Sequence, residues 1–356
     1  MVVTKGSLPI VPKTEPLNIV YFRILQTGRT APFKIRPACK NRAMNLFARH
    51  WFLIALATVV AVGFLAASPL APLAQIAWLK WMVVAITMLL MAWPLELAQF
   101  RSRIVNPTAP LTAAAINTLI APLMLWPLAM LMTEDIGASM VLVFAAPCTL
   151  ASAAVWTARA GGDDSVAIMV TIITSCLCFL TTPAIIYCSI GQTTSPTILT
   201  GIVWKLLICI VLPIGIAQIL RLQKTSADWA TKNKKSVNKL AQCGILAVVF
   251  IGSISSALKI NETSTSGYAT MIVISVVLML VVHTIVLFIA LAIAKSIGLN
   301  RGEQIAVAFS GSQKTLMVAL SVAASLSVTV IPLVAYHSLQ LFIDTLIADF
   351  WFKRDH

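Results

Sequence analysis

The stretch "VAFSGSQKTLMVALSV", residues 307–322, decides how this chain is read. It lies inside a long apolar run, yet carries Ser310, Gly311, Ser312, Gln313 and Lys314 in succession at its middle. A lysine near the centre of a bilayer costs roughly 2.5–3.5 kcal/mol on insertion scales, so this one needs a reason. A second stretch, "VLVFAAPCTLASAAV" at 141–155, matches it. With Thr149-Leu150 set on Thr315-Leu316, Ala153 falls on Ala319 and Cys148 on Lys314, an offset of 166 residues. Each stretch has a helix breaker at its centre. Pro147 lacks an N–H and clashes with the preceding turn. Gly311, flanked by serines, weakens the other helix at the corresponding place.

Working outward, the chain of 356 residues is 59% hydrophobic and 11% charged, with a mean hydropathy of +0.92. Soluble domains carry about 25% charge, so the composition is that of a membrane protein. Apolar segments fall at 47–67, 76–97, 111–132, 137–158, 165–188, 197–221, 238–258, 268–294, 302–326 and 328–351. Each is long enough to cross the hydrocarbon as a helix. The intervening loops alternate in charge. One set holds Arg101 and Arg103, then Arg159, then Arg221, Lys224, Lys232, Lys234, Lys235 and Lys239, then Lys295 and Arg301, and finally Lys353 and Arg354. The other holds Lys259 with Glu134, Asp135 and Glu262. The positive-inside rule then places both termini in the cytoplasm, with a cell inner membrane as the expected location. Lys80 and Lys205 lie at the outer ends of their segments, where snorkelling serves them.

The net charge is +14, and half of it sits in residues 1–43, which hold eight Lys/Arg and Glu15. We read this tail as a disordered segment; an arm on anionic lipid, a targeting leader or an extended start ahead of Met44 are the alternatives. The remaining positive charge is spread over short loops, which excludes a nucleic-acid partner. The seven cysteines form no CxxC pattern and read as small buried hydrophobes, Cys148 apart.

Ten segments divide into five and five. Two halves of five have opposite orientation, which is the inverted-repeat plan of secondary transporters. The expected division is the tail 1–43, a first repeat 44–190 and a second repeat 191–356. Segments 4 and 9 are then interrupted helices in equivalent places, the sequence pointer to a binding site. The second half-helices begin near Cys148 and Gln313, and their N-termini offer partial positive charge to an anion.

The pieces "APCTLASAAVWTARAGGDD" (146–164), "FSGSQKTL" (309–316) and "IPLVAYHSLQL" (331–341) resemble the bile acid:sodium symporter superfamily, which also includes the arsenite-efflux permeases. The resemblance covers residues 47–354, and "SGSQKTL" and "YHSLQL" are of its divergent, symporter-like branch. It implies an all-α membrane fold of ten transmembrane helices in two inverted five-helix repeats. A panel domain (segments 1, 2, 6, 7) would rock against a core domain in which the discontinuous helices 4 and 9 cross. It implies a non-enzymatic carrier that moves a small organic anion by alternating access, with no cofactor beyond a coupling ion.

Departures from the family pattern bear on that ion. The family's sodium sites use a Ser-Asn pair and a glutamate. Ser152 keeps the serine, but Ala153 and Phe309 stand where the asparagine and the glutamate would be. Gln313 matches the family glutamine, Lys314 replaces its asparagine neighbour, and Asn117 stands where a glutamine is usual. A carboxylate cage for a metal is missing, and sodium or a proton is left as the coupling ion. A tethered ammonium at Lys314 would supply the charge of a bound cation and neutralise an anionic substrate.

The residues expected to bind substrate or ion are Asn117, Pro147, Cys148, Thr149, Ser152, Ser310, Ser312, Gln313, Lys314, Thr315, His337 and Gln340. Asp344 shares a helix face with His337 and Gln340 and is expected to partner Lys314 or relay protons. His283, alone in "LMLVVHTIVLF", reads as a packing histidine; Thr171, Thr174 and Ser175 read as glue between helices. The "ARAGGDD" turn reads as a helix stop, with Asp163 and Asp164 capping the next helix. A metalloid exporter using Cys148 is the second reading. An intramembrane enzyme lacks its usual motifs here, and a non-transporting receptor is the remaining alternative.

Overall fold

The computed structural model describes residues 40–95, 106–150, 152–190, 195–262, 267–326 and 328–355. The expected tail as far as residue 39, and the loop with Arg101 and Arg103, lie outside these. The chain divides into two units, Met1–His50 and Trp51–His356. The first contributes the start of helix α1; the second holds everything below.

Every regular element among the described residues is helical. In order they are α1 (Lys40–Leu65), α2 (Ala67–Gln75), α3 (Ala77–Ala92), α4 (Thr108–Ala115), α5 (Ala121–Ala129), α6 (Glu134–Ala145), α7 (Ser152–Arg159), α8 (Asp164–Ile190), α9 (Pro196–Leu206), α10 (Leu212–Leu222), α11 (Lys224–Lys232), α12 (Lys234–Glu262), α13 (Tyr268–Ser296), α14 (Arg301–Ser312), α15 (Leu316–Leu326) and α16 (Ile331–Asp355). Seven helical stretches among them are long and apolar enough to cross a membrane. An eighth is the pair Ile54–Leu65 and Ala67–Gln75, bent by 102°. Expected segment 2 forms a shorter apolar helix, Trp78–Ala92, and expected segment 4 is split into α6 and α7. The chain is thus an integral membrane protein.

Two of the crossings share a local device. Between α4 and α5, and between α9 and α10, the helix widens to a π turn at Ile116–Ile120 and Leu207–Val211. Pro122 and Pro213 stand second in the helices that follow. A proline ring collides with the carbonyl four residues earlier, and a wider turn relieves the collision without breaking the helix.

α3 packs against α10 and α12, and α12 also against α2. A second set is built on α13, which packs against α5, α14 and α16, while α14 meets α4, α7 and α8. α15 touches both sets, through α3 and α12 on one side and α6 and α16 on the other. α6 from Ile136 to Ala145 and α14 from Ile305 to Ser312 are buried on every face, as helices apolar all round must be. Small residues let them approach closely: a Cβ on Gly311 would lie 3.2 Å from Ile116 Cγ2.

The ends are capped as the sequence implies. Gly161 takes φ +77°, its N–H bonds Ala158 O at 3.1 Å, and that of Gly162 bonds Thr157 O at 2.8 Å, which is the Schellman arrangement. Asp163 accepts from the Ser165 N–H at 3.0 Å to start α8. One cap was not foreseen: Asn300 and Glu303 form a reciprocal capping box at the start of α14.

Candidate functional site

Both interrupted helices end in extended residues, Ala146 after α6 and Gln313 after α14. A helix end leaves its last carbonyls without partners, and inside a bilayer those groups must be satisfied by protein. The two breaks satisfy each other. The Thr315 N–H donates to Pro147 O at 2.9 Å. The Lys314 ammonium donates to Ala146 O at 3.1 Å. Thr182 Oγ1 donates to Ala145 O at 2.7 Å, and Thr171 Oγ1 to Thr149 O at 2.8 Å.

α14 is capped from α13 and from the π turn after α4. Asn117 Nδ2 faces three carbonyls at once, Ser310 O at 3.1 Å, Gly311 O at 3.4 Å and Gln313 O at 2.9 Å. His283 Nδ1 lies 3.2 Å from Ser312 O. The other face of Asn117 holds Lys314, whose Nζ donates to Asn117 O at 2.5 Å and to Oδ1 at 3.2 Å. Lys314 is 1% exposed. Its charge is therefore met by three oxygens of the protein and by no carboxylate contact.

Gln313 is the link between the two breaks and α16. Its Oε1 accepts from Ser152 Oγ at 3.0 Å and Thr149 Oγ1 at 3.3 Å. Its Nε2 donates to Asp344 Oδ2 at 2.7 Å. Asp344 Oδ1 lies 2.9 Å from His283 Nε2. The chain Ser152–Gln313–Asp344–His283–Ser312 O thus closes on itself around the break in α14. Thr149 Oγ1 also accepts from the Ala153 N–H at 3.0 Å, which caps the first turn of α7.

The structure brings Asn117, Pro147, Thr149, Ser152, Gln313, Lys314 and Thr315 into this one network. Cys148 lies in it fully buried, with Thr171 Oγ1 3.6 Å from its sulfur and its N–H on Thr174 Oγ1 at 3.1 Å. Ser310 and Ser312 belong through their carbonyls, since both hydroxyls bond back to their own helix at Ala306 O and Ala308 O. Asp344 meets His283 and Gln313; of its two expected roles, the contact with Lys314 is not made. The reason is reach: Lys314 leaves the break toward α4 and α6, while Asp344 approaches from α16. His337 faces the Lys314 main chain and its Nδ1 has no partner. Gln340 is fully buried with neither Oε1 nor Nε2 bonded. His283, read from the sequence as a packing histidine, stands in this network. Its partners lie 29 and 61 residues away, so no local pattern announces it.

The donor set does not fit a carboxylate cage for a metal ion. Ala153 and Phe309 are apolar and fully buried, and the oxygens of Asn117 and Ala146 are already on the Lys314 ammonium. A cavity of about 530 Å³ lies elsewhere, bordered by Phe288, Lys295, Arg301, Gln304 and Trp351.

Comparison with known proteins gives the family. Residues 50–353 match the model of the SBF-like CPA transporter family. The chain is 27% identical to "Putative symporter YfeH" of Escherichia coli K12 over 57% of its own length and 61% of the relative's. It is 21% identical to sodium/bile acid cotransporter 7 of Xenopus tropicalis over 56% and 60%. It is 26% identical to the "Probable sodium/metabolite cotransporter BASS4, chloroplastic" of Arabidopsis thaliana over 58% and 50%. The chain thus spans less than two thirds of the length of each of these relatives. Since the family model covers most of the chain, and relatives of it are named as sodium/bile acid cotransporters, the chain belongs to the SBF-like CPA transporter family, within the bile acid:sodium symporter superfamily.

Proposed function

We propose that the protein is a secondary carrier that moves a small organic anion across the inner membrane by alternating access. The observation that carries this reading is the joint between the two interrupted helices, where the buried lysine of one break rests on Ala146 O of the other and on Asn117 of the π turn after α4. In this reading the residues after 43 form two five-helix repeats, 44–190 and 191–356, in opposite orientation and with both termini in the cytoplasm. α1 to α3 with α9, α10 and α12 belong to the panel, and α4 to α8 with α13 to α16 to the core. The lipid bilayer and the anion are its partners.

The ammonium of Lys314 takes the part of a bound cation. It is tethered, so it cannot be exchanged for sodium, and it leaves positive charge at the joint for a substrate carboxylate or similar anion. Anything that binds the folded state alone raises its melting temperature. The purified chain therefore melts at one temperature in sodium chloride and in choline chloride of equal strength. A rise specific to sodium would remove the tethered-cation reading. The carrier reading is tested by screening labelled organic anions for uptake into proteoliposomes under imposed sodium and proton gradients. Concentrative uptake, lost or altered in pH dependence in Lys314→Met, is expected. If no anion is taken up, or if Lys314→Met transports as wild type does, the corresponding part of the reading fails.

A metalloid exporter is the second reading, and the placement of Cys148 beside Lys314 in the same joint favours it. Arsenite resistance in an efflux-deficient bacterium, abolished by Cys148→Ala, would support that reading over the first.

A further inference from the structure

We infer that Asp344 and His283 together form a binding site for a single proton, shared between them and coupled to the joint of the two interrupted helices. The inference rests on the carrier reading for its purpose, and on hydrogen-bond geometry for its existence. A main-chain carbonyl can only accept. Ser312 O lies 3.2 Å from His283 Nδ1, so the hydrogen of that bond is on Nδ1. With the carboxyl's contact to the ring made through Oδ1, Asp344 Oδ2 bears no hydrogen and can only accept, so it faces Gln313 Nε2, and the hydroxyls of Ser152 and Thr149 suit the Oε1 this leaves to them. The remaining contact, Asp344 Oδ1 to His283 Nε2 at 2.9 Å, needs one more hydrogen. It is either on the imidazole, making an ion pair, or on the carboxyl with a neutral ring. Both states hold the same single proton, which belongs to the pair and to neither residue alone.

Removing that proton sets a carboxylate lone pair against a bare ring nitrogen. Both side chains have no exposure, and an uncompensated buried charge is strongly unfavourable. The deprotonated pair must therefore find other partners. The ionisable groups around it are Lys314 and Cys148 in the two breaks and Tyr336 and His337 on α16. Toward the end of α16, Arg159 of α7 is held by both oxygens of Asp349, and Arg301 of α14 lies over Trp351.

A second observation supplies the alternative set. Gln340 lies one helical turn before Asp344 and Tyr336 one turn before that, so their side chains are neighbours on one face. Both are fully buried, and the Tyr336 hydroxyl and the Gln340 amide have no hydrogen-bond partner. The Tyr336 ring also stands edge-on to His283 at 6.2 Å. Buried polar groups without partners are rare and call for an explanation. Here they are donors held for the deprotonated carboxylate. In turning to them, Asp344 releases Gln313, and Gln313 is what ties α16 to Ser152 and Thr149 of the other break. Loss of one proton thus loosens the joint, which is how a proton gradient would drive the carrier.

The proton itself is the probe. The full chain, reconstituted in liposomes, is titrated by infrared difference spectroscopy, with histidine ring ¹⁵N spectra read alongside. One proton per chain is expected to bind in a step whose carboxyl and imidazolium bands vanish in Asp344→Asn and in His283→Gln alike. The same step persists in Asp349→Asn. In the wild type the Nδ1 of His283 stays protonated throughout, and only Nε2 changes. Asp344→Asn keeps every hydrogen bond of the protonated state, its amide donating to Nε2 and its carbonyl accepting from Gln313, so it folds and reports the missing proton directly. Persistence of the step in Asp344→Asn, a step belonging to one residue alone, an Nδ1 that loses its hydrogen, or no titrating step would each overturn the inference. Failure to transport any anion would count against the carrier and leave this titration as it is.

Discussion

Asn117 is the residue on which the joint depends most. Its amide caps three carbonyls at the end of α14, and its oxygens carry the Lys314 ammonium. Leaving a buried acceptor without a partner costs about 1–3 kcal/mol, more when a charge is involved. Asn117→Ala is therefore expected to destabilise the protein by at least ~3 kcal/mol, seen as a large fall in melting temperature in detergent. Its neighbour Thr118 bonds only to Ala114 O of its own helix at 2.7 Å, and Thr118→Ala should melt within a degree or two of wild type. Equal losses in the two variants would show that Asn117 does no more than fill space. The family resemblance led to Asn117, which stands where a glutamine is usual, and the expense of a lysine's charge led to Lys314. Neither gave His283 more than a packing role. An expensive residue declares itself in one dimension, whereas a residue made important by partners far along the chain is visible only once the helices have packed.

At the scale of elements, the sequence was most legible where the backbone is forced. Pro147 and the glycines of "ARAGGDD" each mark a real irregularity, because proline and glycine act on the local chain whatever surrounds it, while Gly311 stays in the last turn of α14 and the break follows at Gln313. Helix lengths were less legible. Apolar residues continue from α1 past Leu65, yet the chain turns by 102° into α2, since hydropathy reports burial and not direction. The turn between α7 and α8 shows how close the elements come. A Cβ on Gly162 would lie 2.9 Å from Ile305 Cβ and 2.9 Å from Thr157 Cγ2. Neither atom is the end of a flexible chain, so α14 and this turn must part. Overpacking of this kind costs typically about 1–3 kcal/mol. Gly162→Ala should show that loss in thermal unfolding, and adding Ile305→Ala should return part of it. Residues in contact give non-additive effects, so a double variant equal to the sum of the two single losses would mean that the clash is not between these residues.

For the whole molecule, the two ends of the helix assembly differ in chemistry. At one end Asp135 accepts from Tyr268 Oη at 2.7 Å and from the Thr329 N–H at 3.2 Å, which ties the starts of α6, α13 and α16 together. At the other, Arg159 grips Asp349 at 2.6 and 2.8 Å and Arg301 lies over Trp351, joining the end of α16 to α7 and α14. The basic loops belong to this second end. α11 continues it: Arg221 donates to Trp93 O at 2.9 Å, and Trp229 stacks on Trp93 at 5.1 Å. Positively charged loops are retained on the cytoplasmic side during insertion, so the second end should face the cytoplasm. Glu134 and Lys232 are exposed at opposite ends and can report this. In a background with Cys39, Cys188 and Cys243 replaced by serine, Glu134→Cys should react with a membrane-impermeant maleimide on intact cells. Lys232→Cys should react only after permeabilisation. The reverse pattern would invert the molecule in the membrane and, with it, the side from which the joint of α6–α7 and α14–α15 is reached. Labelling of both positions on intact cells would mean that two populations of opposite orientation coexist. The imbalance of charge between the two ends, with Arg221, Lys224, Lys232, Lys234, Lys235 and Lys239 all at the second, argues for one.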